Sequence, residues 1–87
     1  MTRVLELLGR RWALRVLWEL NHGPLGFREL QARGGSISAS VLSRRLSELV
    51  EAGVLEQDAR KRYEISPEGR ALARILEQLE GWAARRS

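Results

Sequence analysis

Apolar residues near the start of the chain recur at helical spacing. Within residues 2–21 they are Val4, Leu5, Leu7, Leu8, Trp12, Leu14, Val16, Leu17, Trp18 and Leu20. This spacing predicts helix, and Gly9 divides a short lead-in helix from a main one. Because the apolar coverage is wider than one stripe, we expect burial on more than one side, partly by a second subunit.

Two further helices, joined by a tight turn, follow from the next apolar positions. The sequence NHGP at 21–24 stops the main helix, and FRELQA at 27–32 predicts a short helix that ends at Gly34-Gly35. Ser38 is placed as the N-cap of the next helix and Gly53 as its left-handed C-cap residue. This helix, over 38–52, carries a buried stripe of Val41, Leu42, Leu46, Leu49 and Val50.

A β-hairpin and a last helix complete the pattern. Val54-Leu55 begins one strand, the polar sequence DARK at 58–61 turns the chain, and YEI at 63–65 alternates as the return strand. Ser66-Pro67-Glu68 is typical of a helix start. The last helix carries Leu72, Ile75, Leu76, Leu79 and Trp82 on one side.

This order of elements predicts a mainly α fold with a small β-hairpin, the winged helix-turn-helix. We expect one domain over 1–87, with N-terminal helices at 2–21, a helix-turn-helix at 27–52, a wing hairpin at 54–65 and a C-terminal helix at 66–84. A chain of 87 residues buries only about 60–65% of its unfolded surface. With no cysteine for disulfides, a second copy of the chain is the expected source of further burial.

The chain carries a moderate net positive charge. The 15 Lys+Arg exceed the 11 Asp+Glu, for a formal charge of +4, and only Lys61 among the basic residues is a lysine. Arginine binds phosphates bidentately, so this balance is compatible with nucleic acid. A GC-rich coding bias would give the same excess of arginine.

Several classes of protein are disfavoured. No apolar run approaches the roughly 20 residues of a membrane span, and Arg3 and Glu6 interrupt a signal-peptide layout, so we expect a cytoplasmic protein. The absence of cysteine and the single His22 leave no metal cluster, and no cofactor is expected. No set of nucleophile, base and orienting residue is visible, which predicts that the chain is not an enzyme.

The predicted helix at 38–52 offers an outer face suited to the major groove. Opposite its buried stripe lie Ala39, Ser40, Ser43, Arg44 and Ser47. Small hydroxyl side chains let a helix lie deep in the groove and bond to phosphates or base edges. Arg44 has the reach to bind a guanine edge, and Arg45, nearer the domain body, is expected to contact a phosphate. The alternative is an ordinary solvated helix face.

Basic residues also mark the hairpin tip. Arg60, Lys61 and Arg62 are consecutive, and such a tip can contact an adjacent minor groove or the DNA backbone. Arg28, at the start of the preceding helix, could position the module on the backbone. The alternative for the tip is a solubilising turn. The alternative for the function of the whole chain is a winged-helix module that docks a protein partner without DNA specificity, as the modest charge and apolar terminal helices allow.

Four segments in the same order resemble a known family. They are LGRRWALRVLWEL at 8–20, FREL at 27–30, ISASVLSRRLSELVEAGVLE at 37–56 and RYEISPEGRAL at 62–72. Together they resemble the HxlR-type winged helix-turn-helix transcriptional regulators, which are relatives of the MarR group. Gly26 departs from the family pattern, since an arginine usually stands there. Some members sense electrophiles through an N-terminal cysteine, which this chain lacks.

The resemblance implies a sequence-specific regulator that binds double-stranded DNA as a homodimer on a palindromic operator. In such proteins the N- and C-terminal helices form the dimer interface. Carried over to this sequence, the interface candidates are Leu5, Leu8, Trp12, Leu76, Leu79 and Trp82. The alternative for each is packing inside one subunit, which is favoured for Trp12. Neither the operator nor a small-molecule effector follows from the sequence.

Overall fold

Helices and one hairpin follow each other in the order that the apolar pattern predicts. The computed structural model describes residues 1–86, so the expected domain end at residue 87 lies outside the described residues. Its elements are α1 Arg3–Leu8, α2 Ala13–Leu20, α3 Phe27–Gly34, α4 Ala39–Glu51, β1 Leu55–Gln57, β2 Tyr63–Ile65 and α5 Gly69–Arg86. This is the winged helix-turn-helix arrangement, mainly α with a two-stranded antiparallel wing.

The N-terminal segment divides at Gly9, as predicted. Thr2 caps α1 by accepting a hydrogen bond from the Leu5 N–H at 3.4 Å, and Gly9 ends this helix. The residue before α2, Trp12, has a φ of 77°, a left-handed conformation that is an outlier for a bulky side chain. The linker between α1 and α2 is therefore a sharply turned segment with local backbone strain.

The helix-turn-helix is defined by caps at both helices. The Gly26 N–H donates to Glu29 Oε1 at 3.0 Å at the start of α3. Ser38 is the N-cap of α4, as predicted, since its hydroxyl accepts from the Val41 N–H at 3.2 Å. Gly53, with a φ of 81°, is the predicted left-handed residue after this helix. These caps fix where α4 begins and ends.

The core lies where α2, α4 and the wing meet. The largest fully buried side chains are Leu20, Leu42, Leu46, Leu49 and Leu55. Val50 was expected in the same stripe but is exposed, because it lies one residue past Leu49, about 100° further around the helix.

Arg15 adds a polar link between α2 and α3, donating to the Arg33 carbonyl at 3.0 Å.

The wing is attached to the domain by buried side chains and by hydrogen bonds to Leu25. Its strands pair antiparallel with Leu55 opposite Ile65, and both of these residues are buried. Leu25 extends the sheet by exchanging two hydrogen bonds with Tyr63, at 3.0 and 2.8 Å. Leu25, just before α3, thus forms an isolated bridge along the outer side of β2.

Close packing explains where α5 begins. Ser66 accepts from the Gly69 N–H at 3.0 Å and donates to the Gly53 carbonyl at 2.6 Å, so the predicted start at 66 is a capping turn and the helix begins at Gly69. A Cβ on Gly69 would lie 2.3 Å from the Val54 carbonyl oxygen, which leaves room for glycine alone. None of the helices in residues 1–86 is long and apolar enough to cross a membrane.

Candidate nucleic-acid interface

The outer face of α4 carries the polar residues that the sequence predicts for it. Ser40, Ser43, Arg44 and Ser47 are all exposed and share one face at i, i+3, i+4 and i+7 spacing. Within residues 1–86, Arg44 forms no ion pair. The Ser40 hydroxyl lies 3.4 Å from that of Ser38, next to the N-terminal end of the helix. This face combines small hydroxyl groups with one long unpaired cation, as groove contact requires.

Arg45 does not belong to this face, which corrects the prediction of a phosphate contact. Its side chain is only 10% exposed. The Nε group donates to the Arg11 carbonyl at 2.9 Å, and Nη1 donates to Glu48 Oε1. Because both bonds hold the guanidinium inside the domain, Arg45 joins α4 to the linker between α1 and α2. It is removed from the set of expected DNA contacts.

Glu48 is a residue whose role the sequence did not reveal. Besides Arg45, it pairs with Arg10, whose Nε lies 3.6 Å from Oε2. Two signals could have indicated this network. Arg45 lies three residues after Leu42 and four before Leu49, within the buried stripe, and Arg45 and Glu48 have the i, i+3 spacing of helical ion pairs.

The wing tip is built around Asp58. Its Oδ1 accepts from the Arg60 and Arg62 backbone N–H groups at 2.8 and 2.9 Å, and its Oδ2 accepts from Arg62 Nε at 2.9 Å. The hydrogen bond from the Arg62 N–H contributes most to holding the pKa of the Asp58 carboxyl below its ordinary value. The carboxylate therefore stays charged at neutral and mildly acidic pH, and its bonds weaken only as the pH falls through the lowered pKa.

The three consecutive cations of the tip are not equivalent. Arg62 pairs with Asp58 while its side chain stays 41% exposed, so its predicted DNA contact would have to be made from within this ion pair. Arg60 and Lys61 are exposed and form no ion pair within the described chain, residues 1–86. The wing thus offers two unpaired cations, Arg60 and Lys61, and one that is paired with Asp58.

Arg28 lies beside the same surface. It is exposed near the start of α3 and, with Phe27, Gln31, Ala32 and Ala39, lines an open groove where α3 meets the first turn of α4. This position is next to the serine face of α4. The structure therefore places Arg28 near the first turn of α4, beside Ala39.

The predicted interface residues of the terminal helices fall into two groups. Leu5, Leu79 and Trp82 are 52%, 49% and 50% exposed. Ile75 on α5, which was not among the interface candidates, is 59% exposed. Leu76 is buried in the core of its own subunit, so its assignment to the interface is corrected. Leu8 and Trp12 are half-buried against the same core, which agrees with the alternative of packing within one subunit.

A two-helix unit with an exposed serine and arginine face, followed by a basic hairpin, defines a winged helix-turn-helix DNA-binding protein. Residues 7–87 match the family model described as HxlR-like helix-turn-helix, and the chain belongs to that family. The resemblance seen in the sequence motifs is thereby confirmed.

Individual relatives agree with this assignment. The HTH-type transcriptional regulator YvaP of Bacillus subtilis is 33% identical over 87 residues, which cover 93% of this chain and 81% of YvaP. The quinone-bound structure of YodB from B. subtilis matches with a TM-score of 0.84 and 29% identity, over 94% of this chain and 92% of that one. A possible HxlR family transcriptional factor from Thermoplasma volcanium has a TM-score of 0.85 at 24% identity, covering 95% and 80% of the two chains, and supports the fold.

Members of this family are regulators of transcription and not enzymes. The chain is accordingly a helix-turn-helix transcriptional regulator that binds DNA. The prediction that it is not an enzyme is confirmed by this family membership.

Proposed function

We propose that this regulator binds a specific, palindromic duplex operator as a homodimer. In this proposal α4 enters the major groove, and Arg60 and Lys61 of the wing contact the backbone or the adjacent minor groove. The proposal rests on one observation, the exposed face of α4. Ser40, Ser43, Arg44 and Ser47 point away from the core, and within residues 1–86 Arg44 forms no ion pair. A regulator of this kind acts where the DNA is, which supports a cytoplasmic location.

Each side chain of the face has a distinct role in the proposal. Arg44 reads a guanine through O6 and N7, a bidentate contact that discriminates against other bases by about 1–3 kcal/mol. The serines keep the helix thin enough for close approach and bond to phosphates or base edges. Arg28 contacts the flanking backbone and sets the orientation of the module.

The wing supports the proposal through an unfavourable backbone conformation. Lys61 has a φ of 64°, a left-handed conformation that glycine or asparagine would adopt more readily. Since strained backbone conformations cluster at functional sites, a lysine in this conformation favours a role for its cation in DNA binding.

The dimer is supported by the exposed apolar residues of the terminal helices. Ile75, Leu79 and Trp82 lie within about 60° of each other around α5, on a face that the core leaves uncovered, and Val4 and Leu5 of α1 are also exposed. These side chains would be buried against a second copy, in a dimer whose two α4 helices lie about 34 Å apart to match half-sites one helical turn apart.

Selection from random duplex DNA, followed by sequencing, tests the proposal. We expect a palindromic consensus whose half-sites are about 10 base pairs apart. Unselected sequences after repeated rounds would contradict specific binding. If the chain instead retains a stoichiometric protein partner at high salt and shows no affinity for duplex DNA, the alternative of a protein-docking module is favoured.

A further inference from the structure

Asp58 holds the wing turn through both its backbone and its side chain. Its N–H donates to the Arg62 carbonyl and its carbonyl accepts from the Lys61 N–H, each at 2.9 Å. Its carboxylate accepts three more hydrogen bonds, from the Arg60 N–H, the Arg62 N–H and Arg62 Nε. The side chain is only 19% exposed, so it lies beneath the turn and not at its tip.

These bonds fix a backbone that would otherwise relax. Lys61 is held in the left-handed region, with a φ of 64°, where lysine is rarely stable unless its surroundings impose the conformation. The neighbours on either side, Arg60 and Arg62, are both tied to one oxygen of Asp58. The direction in which Arg60 and Lys61 leave the hairpin is therefore set by this carboxylate.

We infer that Asp58 is a positioning residue for DNA binding: its carboxylate preorganises the wing so that Arg60 and Lys61 meet the phosphates. This inference rests on the proposed function and concerns an acidic residue that lies within the basic wing. Preorganisation lowers the conformational entropy that binding would otherwise lose when it orders the turn.

If Asp58 positions the wing, removing its carboxylate should change DNA affinity in the direction opposite to that expected from net charge alone. DNA is a polyanion, so removing a carboxylate from a DNA-facing element should strengthen binding if only net charge mattered. If Asp58 positions the cations, its removal weakens binding instead. The sign of the change therefore distinguishes positioning from electrostatic repulsion.

The experiment is a fluorescence anisotropy titration of the full chain with the selected duplex at several salt concentrations. We expect Asp58→Ala to weaken binding about tenfold, equivalent to about 1.4 kcal/mol. The salt slope should also fall by up to about four, since the two wings of the dimer hold four such cations and each lost phosphate contact contributes roughly 0.9. Asp58→Asn keeps an oxygen that can accept from the Arg60 and Arg62 N–H groups, so it should retain most of the wild-type affinity.

Two further measurements separate positioning from general damage. In the Arg60→Ala/Lys61→Ala background, Asp58→Ala should have no additional effect on affinity, because the cations it positions are gone. In the free protein, Asp58→Ala should accelerate amide exchange at Arg60 and Arg62. Glu56→Ala is the matched control, an exposed carboxylate of the same hairpin, and should leave affinity unchanged or raise it.

The inference is overturned if Asp58→Ala binds the duplex as tightly as the wild type or more tightly. It is also overturned if the loss is equally large without Arg60 and Lys61, or if the wing amides exchange at the wild-type rate. A wild-type chain that binds no duplex at all would contradict the proposed function itself. That outcome is distinct from specific wild-type binding that is insensitive to Asp58.

Discussion

Arg44 and Arg45 are adjacent in the sequence, yet the structure gives them different roles, and their alanine variants should differ accordingly. Arg44 is exposed on the outer face of α4, whereas Arg45 is buried. We expect Arg45→Ala to destabilise the fold strongly and Arg44→Ala to change stability by less than about 0.5 kcal/mol, as is usual for exposed residues.

The magnitude for Arg45→Ala follows from its contacts. The substitution deletes the 2.9 Å hydrogen bond to the Arg11 carbonyl and the ion pair with Glu48, and hydrogen bonds to charged groups each contribute about 1.5–3 kcal/mol. Glu48 keeps Arg10 as a partner and is 27% exposed, so it can be partly resolvated. We therefore expect a loss of about 2–4 kcal/mol in the free energy of unfolding.

The assay is thermal and urea unfolding followed by circular dichroism, at one protein concentration because a dimer makes stability concentration-dependent. For a domain of this size, each kcal/mol lowers the midpoint by about 4–8 °C. The melting temperature of Arg45→Ala should thus fall by roughly 8–32 °C. A midpoint within 3 °C or so of the wild type, or an equal fall for Arg44→Ala, would refute the assignment of Arg45 to a buried network.

Three further substitutions, two of them with a control variant, test packing, strain and assembly. Gly69→Ala should destabilise the fold by about 1–3 kcal/mol in urea unfolding, because its Cβ would meet the Val54 carbonyl. Gly81→Ala is the control, since a Cβ has room there. It should be neutral or stabilise the fold by up to about 1 kcal/mol in the same assay. Lys61→Gly should raise stability by up to about 1 kcal/mol by relieving the left-handed strain, yet weaken duplex binding in the anisotropy titration; unchanged affinity would remove the wing lysine from the interface. Leu79→Glu should yield monomers in sedimentation velocity at micromolar concentration, while Ala84→Glu, which puts the same charge on the opposite face of α5, should not; a monomeric wild type would contradict the dimer.

The elements of the fold were predictable because local chemistry specifies them. Ser38 caps α4 through its own hydroxyl, and Gly53 adopts the left-handed conformation that ends the helix. Both features depend on residues close together in the chain. Ser66 likewise caps the turn that leads into α5, since its hydroxyl accepts from the Gly69 N–H, whereas the close approach of Gly69 to Val54 is a tertiary contact that no local pattern encodes.

The site was predicted less completely, for reasons that also concern tertiary contacts. Arg45 was expected to contact a phosphate from a position nearer the domain body than Arg44, whereas its side chain bonds to the Arg11 carbonyl, 34 positions away. The apolar stripe of α5 likewise contains both buried Leu76 and exposed Leu79. Spacing alone could not divide this stripe, because the boundary depends on how far the core reaches across the helix.

The role of Arg44 in choosing a base sequence is the central claim, and a ratio of affinities tests it most directly. Dissociation constants of the wild type and Arg44→Ala are measured for the selected duplex and for a scrambled duplex at one salt concentration. We predict that the wild-type preference for the selected duplex falls in Arg44→Ala by about 5- to 150-fold for each half-site, equivalent to about 1–3 kcal/mol per Arg44 of the dimer, while affinity for the scrambled duplex changes little. An unchanged preference in Arg44→Ala would contradict the claim that this face of α4 selects the DNA sequence through Arg44.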